Sequence, residues 1–151
     1  MSMDDTKANA SPTMQNIWTR ELQIVMKAGE RHPRNYYAWN YARQLICIVQ
    51  SFVRSVGEYQ ELLIDTSGEV HRWCLMHPRD ISGWAFLGFW LEKVRDQVRK
   101  WEHLRSSEGI LEGEICRVAR GTKAWVKKYD WKGESVEWFL KALKELGLEK
   151  Q

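Results

Sequence analysis

A run of basic residues late in this 151-residue chain has the spacing of a possible anion-binding surface. The residues recur at steps of three and four beside Trp125 and Trp131, and a cationic helix face next to indoles can bind phosphate or an acidic partner. A solvated helix face explains the same spacing, and we favour that interpretation. The basic residues are Arg117, Arg120, Lys123, Lys127, Lys128 and Lys132.

The sequence contains no pattern typical of a catalytic or metal site. His71 and His77 are six residues apart, which does not place them on one helix face, and no carboxylate cluster lies nearby. There is no Gly-rich phosphate loop, no Ser-His-Asp or Cys-His order, and no paired-carboxylate pattern beyond chance. We therefore expect no metal in this chain.

Composition favours an all-α protein. With 44% hydrophobic residues, nine tryptophans and only three prolines, the chain can form a sizeable core and leaves long stretches open to helix. A net charge of +3 is too mild to indicate a nucleic-acid partner. No membrane span or secretory signal is visible, and the odd number of cysteines, Cys47, Cys74 and Cys116, indicates a reducing compartment. These features predict a cytoplasmic protein without membrane insertion.

The frame His-Pro-Arg occurs twice, 45 residues apart. In both copies the proline keeps the preceding histidine extended, so one helix should end at or before the histidine. An asparagine or aspartate then provides an N-cap for the next helix, and a tryptophan follows four residues later, where packing alone accounts for it. The structural repeat positions are Pro33, Asn35 and Trp39 in the first copy and Pro78, Asp80 and Trp84 in the second.

Hydrophobic periodicity predicts a disordered N-terminal tail over 1–13 and a single helical-repeat domain over 14–151. The second helix has apolar residues on two sides, which implies burial between neighbours. A bend is possible in the third helix at 65–68, where Asp-Thr-Ser-Gly interrupts the apolar pattern. Six helices in about three stacked antiparallel hairpins would form an alpha-alpha superhelix, or solenoid. The predicted helices cover about 14–32, 35–57, 58–76, 80–105, 109–129 and 135–147.

Residues 33–40, Pro-Arg-Asn-Tyr-Tyr-Ala-Trp-Asn, with Arg43 after them, resemble the repeat of protein prenyltransferase alpha subunits, whose core reads roughly Asn-Tyr-His-Ala-Trp followed by Arg-Arg. Residues 80–84 resemble the repeats of that family in which serine stands before the tryptophan, with Gly88 at the position of Arg43. The resemblance covers Trp18 to about Arg105. It implies a short or partial member, since known members are about twice as long.

The resemblance also implies a function and a partner. The chain would be the helical partner of a prenyltransferase beta-type subunit that transfers a farnesyl or geranylgeranyl group to protein cysteines. Zinc would sit only on that beta subunit, so this chain would hold no cofactor and would not be a complete enzyme alone. The alternative, from a different class, is a non-catalytic helical-repeat scaffold that binds a protein or peptide in its groove.

The resemblance implies substrate-binding residues in the first copy. It places Tyr36 on the family's tyrosine and Tyr37 on its histidine, where both hydroxyls would donate hydrogen bonds to the prenyl diphosphate. Arg43 would support the charge of the diphosphate or brace the repeat. In the alternative interpretation, the two tyrosines belong to the core or to the wall of a groove.

Overall fold

The computed structural model describes residues 13–101 and 110–148, and these ranges contain six α-helices and no strand. The all-α prediction is confirmed. The predicted disordered tail lies outside the described residues except for Thr13. The helices are α1 (Met14–Arg31), α2 (Tyr36–Phe52), α3 (Val56–Met76), α4 (Ile81–Trp101), α5 (Ile110–Tyr129) and α6 (Glu134–Glu145).

Side-chain N-caps set the start of the first three helices. The Thr13 hydroxyl, the Asn35 side-chain carbonyl and the Ser55 hydroxyl each accept a hydrogen bond from the backbone N–H three residues later, over 3.1, 3.2 and 3.1 Å. The predicted end of α2 near Gly57 is wrong. Val53 already has an extended backbone and Ser55 caps α3, so Gly57 lies in the first turn of α3.

Helix α3 is continuous, and the break considered at 65–68 does not occur. The polar side chains in this segment are buried but paired. The Trp18 indole N–H donates to Thr66 Oγ1 over 2.8 Å, and the Ser67 hydroxyl, which lies 2.9 Å from the Ile64 carbonyl, donates its hydrogen to Glu114 of α5. Because these groups find partners without leaving the helix, the segment has no reason to bend.

The helices form two layers. One layer contains α1, α3 and α5, with α3 packed between the other two, and the second contains α2, α4 and α6, with α4 in the middle. Within the first two hairpins, α1 packs on α2 and α3 packs on α4, and α4 also contacts α5. The predicted helical-repeat superhelix is therefore confirmed, with the second hairpin stacked on the first and with α5 and α6 stacked on the second.

The two repeat tryptophans join successive hairpins. Trp39 of α2 lies against Trp73 of α3 and Phe86 of α4, with ring centroids 5.0 and 5.1 Å apart. Trp84 of α4 lies against Phe139 of α6, with centroids 4.8 Å apart. Both indoles are fully buried, so equivalent positions make equivalent contacts one hairpin further along the stack.

Two glycines of α4 provide a test of this packing. A Cβ at Gly83 would lie 2.5 Å from Cζ3 of Trp73, whereas a Cβ at Gly88 would meet no atom of the described residues within 4 Å. We expect Gly83→Ala to lower the free energy of unfolding, because overpacking costs about 1–3 kcal/mol and exceeds the gain of about 1 kcal/mol in helix propensity. Gly88→Ala should instead raise it by about 0.5–1 kcal/mol.

Urea unfolding followed by circular dichroism measures the free energy of unfolding of both α4 variants. The two substitutions share the same chemistry and the same helix, so Gly88→Ala is the matched control for Gly83→Ala. Equal effects of the two substitutions would contradict the close contact between Gly83 and Trp73.

Candidate functional site

The residues predicted to bind a diphosphate lie in the first two turns of α2. Tyr36 is 61% exposed and Tyr37 is 85% exposed, so neither tyrosine belongs to the core. The Arg43 guanidinium is half-buried over the rings of Phe86 and Phe89, 5.8 and 5.6 Å from their centroids, and burial lowers the pKa of Arg43. Arg43 therefore braces α2 on α4 through cation–π contacts, while the tyrosines face outward.

Asp80 joins the two His-Pro-Arg turns. Its Oδ1 accepts from the backbone N–H of Ser82 and of Gly83 over 3.0 and 3.3 Å, and these bonds cap α4. Its Oδ2 accepts from the backbone N–H of Arg34 in the other turn, over 3.0 Å. Arg34 has a left-handed φ of 60°, which costs a non-glycine residue roughly 1–2 kcal/mol. Arg79, at the equivalent position, is not left-handed, so the two turns differ in conformation.

A cavity of about 470 Å³ opens where three turns meet at one end of the stack. The turns follow α1, α3 and α5, which all end on the same side because consecutive helices alternate in direction. The third turn reaches the others through Arg79, whose guanidinium lies 5.6 Å from the Trp131 ring centroid and whose carbonyl accepts from Ser135 Oγ over 3.1 Å. The main lining residues are Pro33, Arg34, His77, Pro78, Arg79 and Trp131.

Helix α2 carries a second apolar face opposite its buried one. Tyr37, Tyr41, Ile48 and Phe52 follow one another at steps of four, seven and four, which places them in one row, and they are between 44% and 85% exposed. We call this row the α2 stripe. The prediction that this side of α2 is buried between neighbours is wrong, since no helix of the described ranges covers it.

Helix α1 extends this exposed surface. Glu21 and Ile24 are three residues apart on the side of α1 next to α2, and Ile24 is 56% exposed. The Tyr41 hydroxyl donates to Glu21 Oε2 over 3.1 Å, and this hydrogen bond raises the pKa of Tyr41. The bond ties the two rows together. The α2 stripe with Glu21 and Ile24 is called the hairpin-1 face below.

A buried polar cluster lies between α3 and α5 and uses one residue of the basic run. Glu114 accepts hydrogen bonds from Ser67 Oγ and from the Arg117 guanidinium, whose Nε lies 3.0 Å away. Burial raises the pKa of Glu114, but the bonds from Arg117 and Ser67 outweigh this effect and hold the pKa below its usual value. Arg117 is therefore paired with Glu114 one turn away on the same helix, although its side chain is about half exposed, and is not a free cation of the basic run.

His71 belongs to the same buried cluster. Its Nε2 lies 2.9 Å from Thr122 Oγ1, and Thr122 donates its own proton to the Val118 carbonyl over 2.8 Å. The Thr122 oxygen can then only accept a hydrogen bond from His71, so Nε2 of His71 carries the hydrogen. Burial, and then the nearby Arg117 charge, lower the pKa of His71 to about 4. The imidazole is neutral at pH 7 and acts as a packing element between α3 and α5.

Within residues 13–101 and 110–148, no group of three or more His, Cys, Asp or Glu side chains could hold a metal ion. In that part of the chain, no helix is both long enough and apolar enough to cross a membrane.

Comparison with known proteins identifies a family for most of the chain. The family model of the ECM9 middle domain matches residues 2–111, a range that contains both His-Pro-Arg turns and helices α1 to α4. No curated protein and no solved structure matches the chain significantly.

This match corrects the resemblance drawn from the repeat. The assignment to the prenyltransferase alpha-subunit repeat is wrong, because the family that matches over both repeat copies is a different one. The predicted role in prenyl transfer, as the partner of a beta-type subunit, is wrong with it. The diphosphate-binding role of Tyr36, Tyr37 and Arg43 rested on that resemblance and stays an untested prediction.

Proposed function

The chain belongs to the ECM9 middle domain family, and from this premise we propose that it is a non-catalytic helical-repeat scaffold that binds a protein through the hairpin-1 face. The observation that carries the proposal is the α2 stripe. It is a row of exposed apolar side chains along a helix whose buried side already fills the core.

The composition of the hairpin-1 face supports a protein partner. Surface helices normally turn polar side chains toward water, because an apolar face is a liability there. Here the first hairpin instead exposes two tyrosines, a phenylalanine and two isoleucines. Contiguous exposed apolar residues mark interaction sites, and tyrosine is enriched where such sites bind strongly.

The shape of the hairpin-1 face favours an amphipathic helix of the partner. Its two rows lie on neighbouring helices and are joined by the bond between Tyr41 and Glu21, so they form one surface. Helices α3 and α4 already stack on this hairpin from the other side, and a further helix would continue the same packing. Glu21 would face a lysine or arginine of that helix.

The proposed location is the cytoplasm. Cys47, Cys74 and Cys116 are free thiols, a state typical of reducing compartments, and Cys47 is exposed. This supports a partner that is also cytoplasmic. Imaging of a fluorescent fusion of the full chain tests the location directly.

Charges placed in the hairpin-1 face should abolish partner binding. We expect the double variant Tyr41→Glu and Ile48→Glu to retain less than about a tenth of the partner bound by the wild-type chain, because each carboxylate would lose its hydration in an apolar contact. A photo-crosslinking residue introduced at position 44, between the two substituted positions, identifies the bound protein in cell extract. Quantitative mass spectrometry then compares the variants.

Trp138→Glu provides the matched control. Trp138 lies on α6, outside the hairpin-1 face, and is 45% exposed, close to the exposure of Tyr41. This variant should bind the partner as the wild type does. Equal binding by all three chains, or equal loss in both variants, would exclude the hairpin-1 face as the site.

A further inference from the structure

The cavity between the three turns has apolar walls. Pro33 and Pro78 supply two of them, and Trp131 supplies a third from a different hairpin. The His77 ring also lines the cavity and is stacked on Trp73, with centroids 4.1 Å apart, so it is held in place. A volume of about 470 Å³ lies within the usual range of roughly 300–1,000 Å³ for ligand sites. The cavity can therefore accommodate an apolar group.

The charged side chains that line the cavity differ in whether they already have hydrogen-bond or ion-pair partners. Asp80 is buried, and its two oxygens accept three backbone hydrogen bonds. In contrast, the side chains of Arg34 and Arg79 are exposed and form no ion pair with any residue of the described ranges. Glu30 is the remaining carboxylate of the lining, and it is exposed at the rim. Two guanidinium groups are thus available to an incoming anion.

Local structure positions the backbone of Arg34 and the guanidinium group of Arg79 at the cavity. Arg34 is held in a left-handed conformation by its bond to Asp80, and Arg79 lies over the Trp131 ring. Strained residues of this kind are typically maintained at ligand sites. The planar guanidinium group matches a carboxylate through two parallel hydrogen bonds.

We propose that this cavity binds an acidic peptide segment in which a carboxylate side chain stands next to an apolar one. The carboxylate pairs with Arg34 and Arg79, and the apolar side chain inserts between Pro33, Pro78 and Trp131. None of the lining residues belongs to the hairpin-1 face, so the proposal does not depend on the proposed function.

The test uses the full chain and an acetylated, amidated peptide of sequence Phe-Asp-Phe-Glu. Titration followed by two-dimensional amide NMR should shift the resonances of the three turns and of the Trp131 indole. The peptide Phe-Asn-Phe-Gln has the same shape without charge and should bind at least about tenfold more weakly. Free 3-phenylpropionate has a phenyl ring and a carboxylate but no peptide backbone. It should also bind more weakly than the acidic peptide.

Variants of the two arginines separate this site from other surfaces. Arg34→Gln combined with Arg79→Gln should weaken binding of the acidic peptide by at least about tenfold. Arg20→Gln removes an exposed arginine of α1 that does not line the cavity and should have no effect. The double variant Tyr41→Glu and Ile48→Glu should bind the peptide normally, which distinguishes the two proposed sites.

Charge reversal keeps the test decisive even if the Gln variants are less stable. With Arg34→Glu and Arg79→Glu, the preference should pass to the peptide Phe-Lys-Phe-Lys. Circular dichroism confirms the fold of each variant. The proposal is overturned if the acidic peptide does not bind at millimolar concentration, if the neutral peptide or 3-phenylpropionate binds equally well, or if the shifts map away from the three turns.

Discussion

Trp84→Ala should lower the free energy of unfolding by about 3–5 kcal/mol, the range measured for removing a large buried aromatic side chain. Trp84 is fully buried, packs on Phe139 of the last helix, and donates its indole hydrogen to the Pro78 carbonyl over 3.0 Å. The substitution therefore removes a contact between hairpins and a bond within the second turn. Urea unfolding at pH 7, followed by circular dichroism, measures the change.

Phenylalanine substitutions at both repeat tryptophans separate the hydrogen bond from the packing. Trp84→Phe leaves the Pro78 carbonyl without its donor, whereas the Trp39 indole N–H has no partner to lose among the described residues. Both variants lose similar ring volume, so Trp84→Phe should cost about 1 kcal/mol more than Trp39→Phe. If Trp39→Phe proves the more costly of the two, the bond from Trp84 to Pro78 does not contribute as described.

Acidification should destabilise the chain through His71. The imidazole has a pKa of about 4 in the folded chain and 6.5 as the ordinary value. The unfolded chain therefore takes up a proton first as the pH falls. The contribution of neutral His71 is complete above pH 6.5 and is lost progressively down to pH 4, by about 3 kcal/mol in total. Urea unfolding at a series of pH values between 7 and 4 measures this slope.

The variant His71→Gln isolates the histidine. Glutamine cannot take up a proton in this range, and its amide can still donate to Thr122 Oγ1. Glu114 also has a lowered pKa, but its stabilising effect is lost only as the pH falls below its ordinary value of 4.5. Between pH 6.5 and 5 the slope should therefore be much smaller in His71→Gln. An unchanged slope would show that other groups cause the pH dependence.

Local sequence patterns predicted most of the helices because each pattern reflects a physical cause that acts within a few residues of the chain. The apolar period marks the buried face, and Asn35 supplies the cap of α2. One connection was misplaced, and the bend considered at 65–68 does not form, for equally local reasons. Gly57 is a weak helix former yet tolerable in a first turn, and Thr66 and Ser67 disfavour helix only when their hydroxyls compete with the backbone. Here those hydroxyls have partners.

The same reasoning explains why the repeat motif indicated the fold but not the family. A proline in the turn, an N-cap and a tryptophan one turn into the helix are what any stacked helical hairpin needs. The first copy resembles the prenyltransferase repeat at these positions. Such residues satisfy packing, so they indicate architecture and carry no information about a substrate.

The candidate sites depended on contacts that no local pattern contains. Trp131 reaches the first two turns from a third one, and its sequence context suggested only a neighbour of basic residues. His71 and Thr122 are 51 residues apart, so their bond was not predictable without knowing that α3 packs on α5. The α2 stripe was recognised as a second apolar side, but whether such a side is covered depends on which helices stack beside it.

The two copies of the His-Pro-Arg turn are not interchangeable parts, because each is followed by a cap with a different number of acceptors. Asn35 satisfies one backbone donor with one carbonyl oxygen, whereas Asp80 satisfies three with two oxygens, one of them in the other copy. An asparagine at position 80 would turn an amide hydrogen toward another donor. The two capping residues therefore fix the order of the two hairpins along the chain. If the two copies exchanged places, the backbone N–H of Arg34 would lose its acceptor.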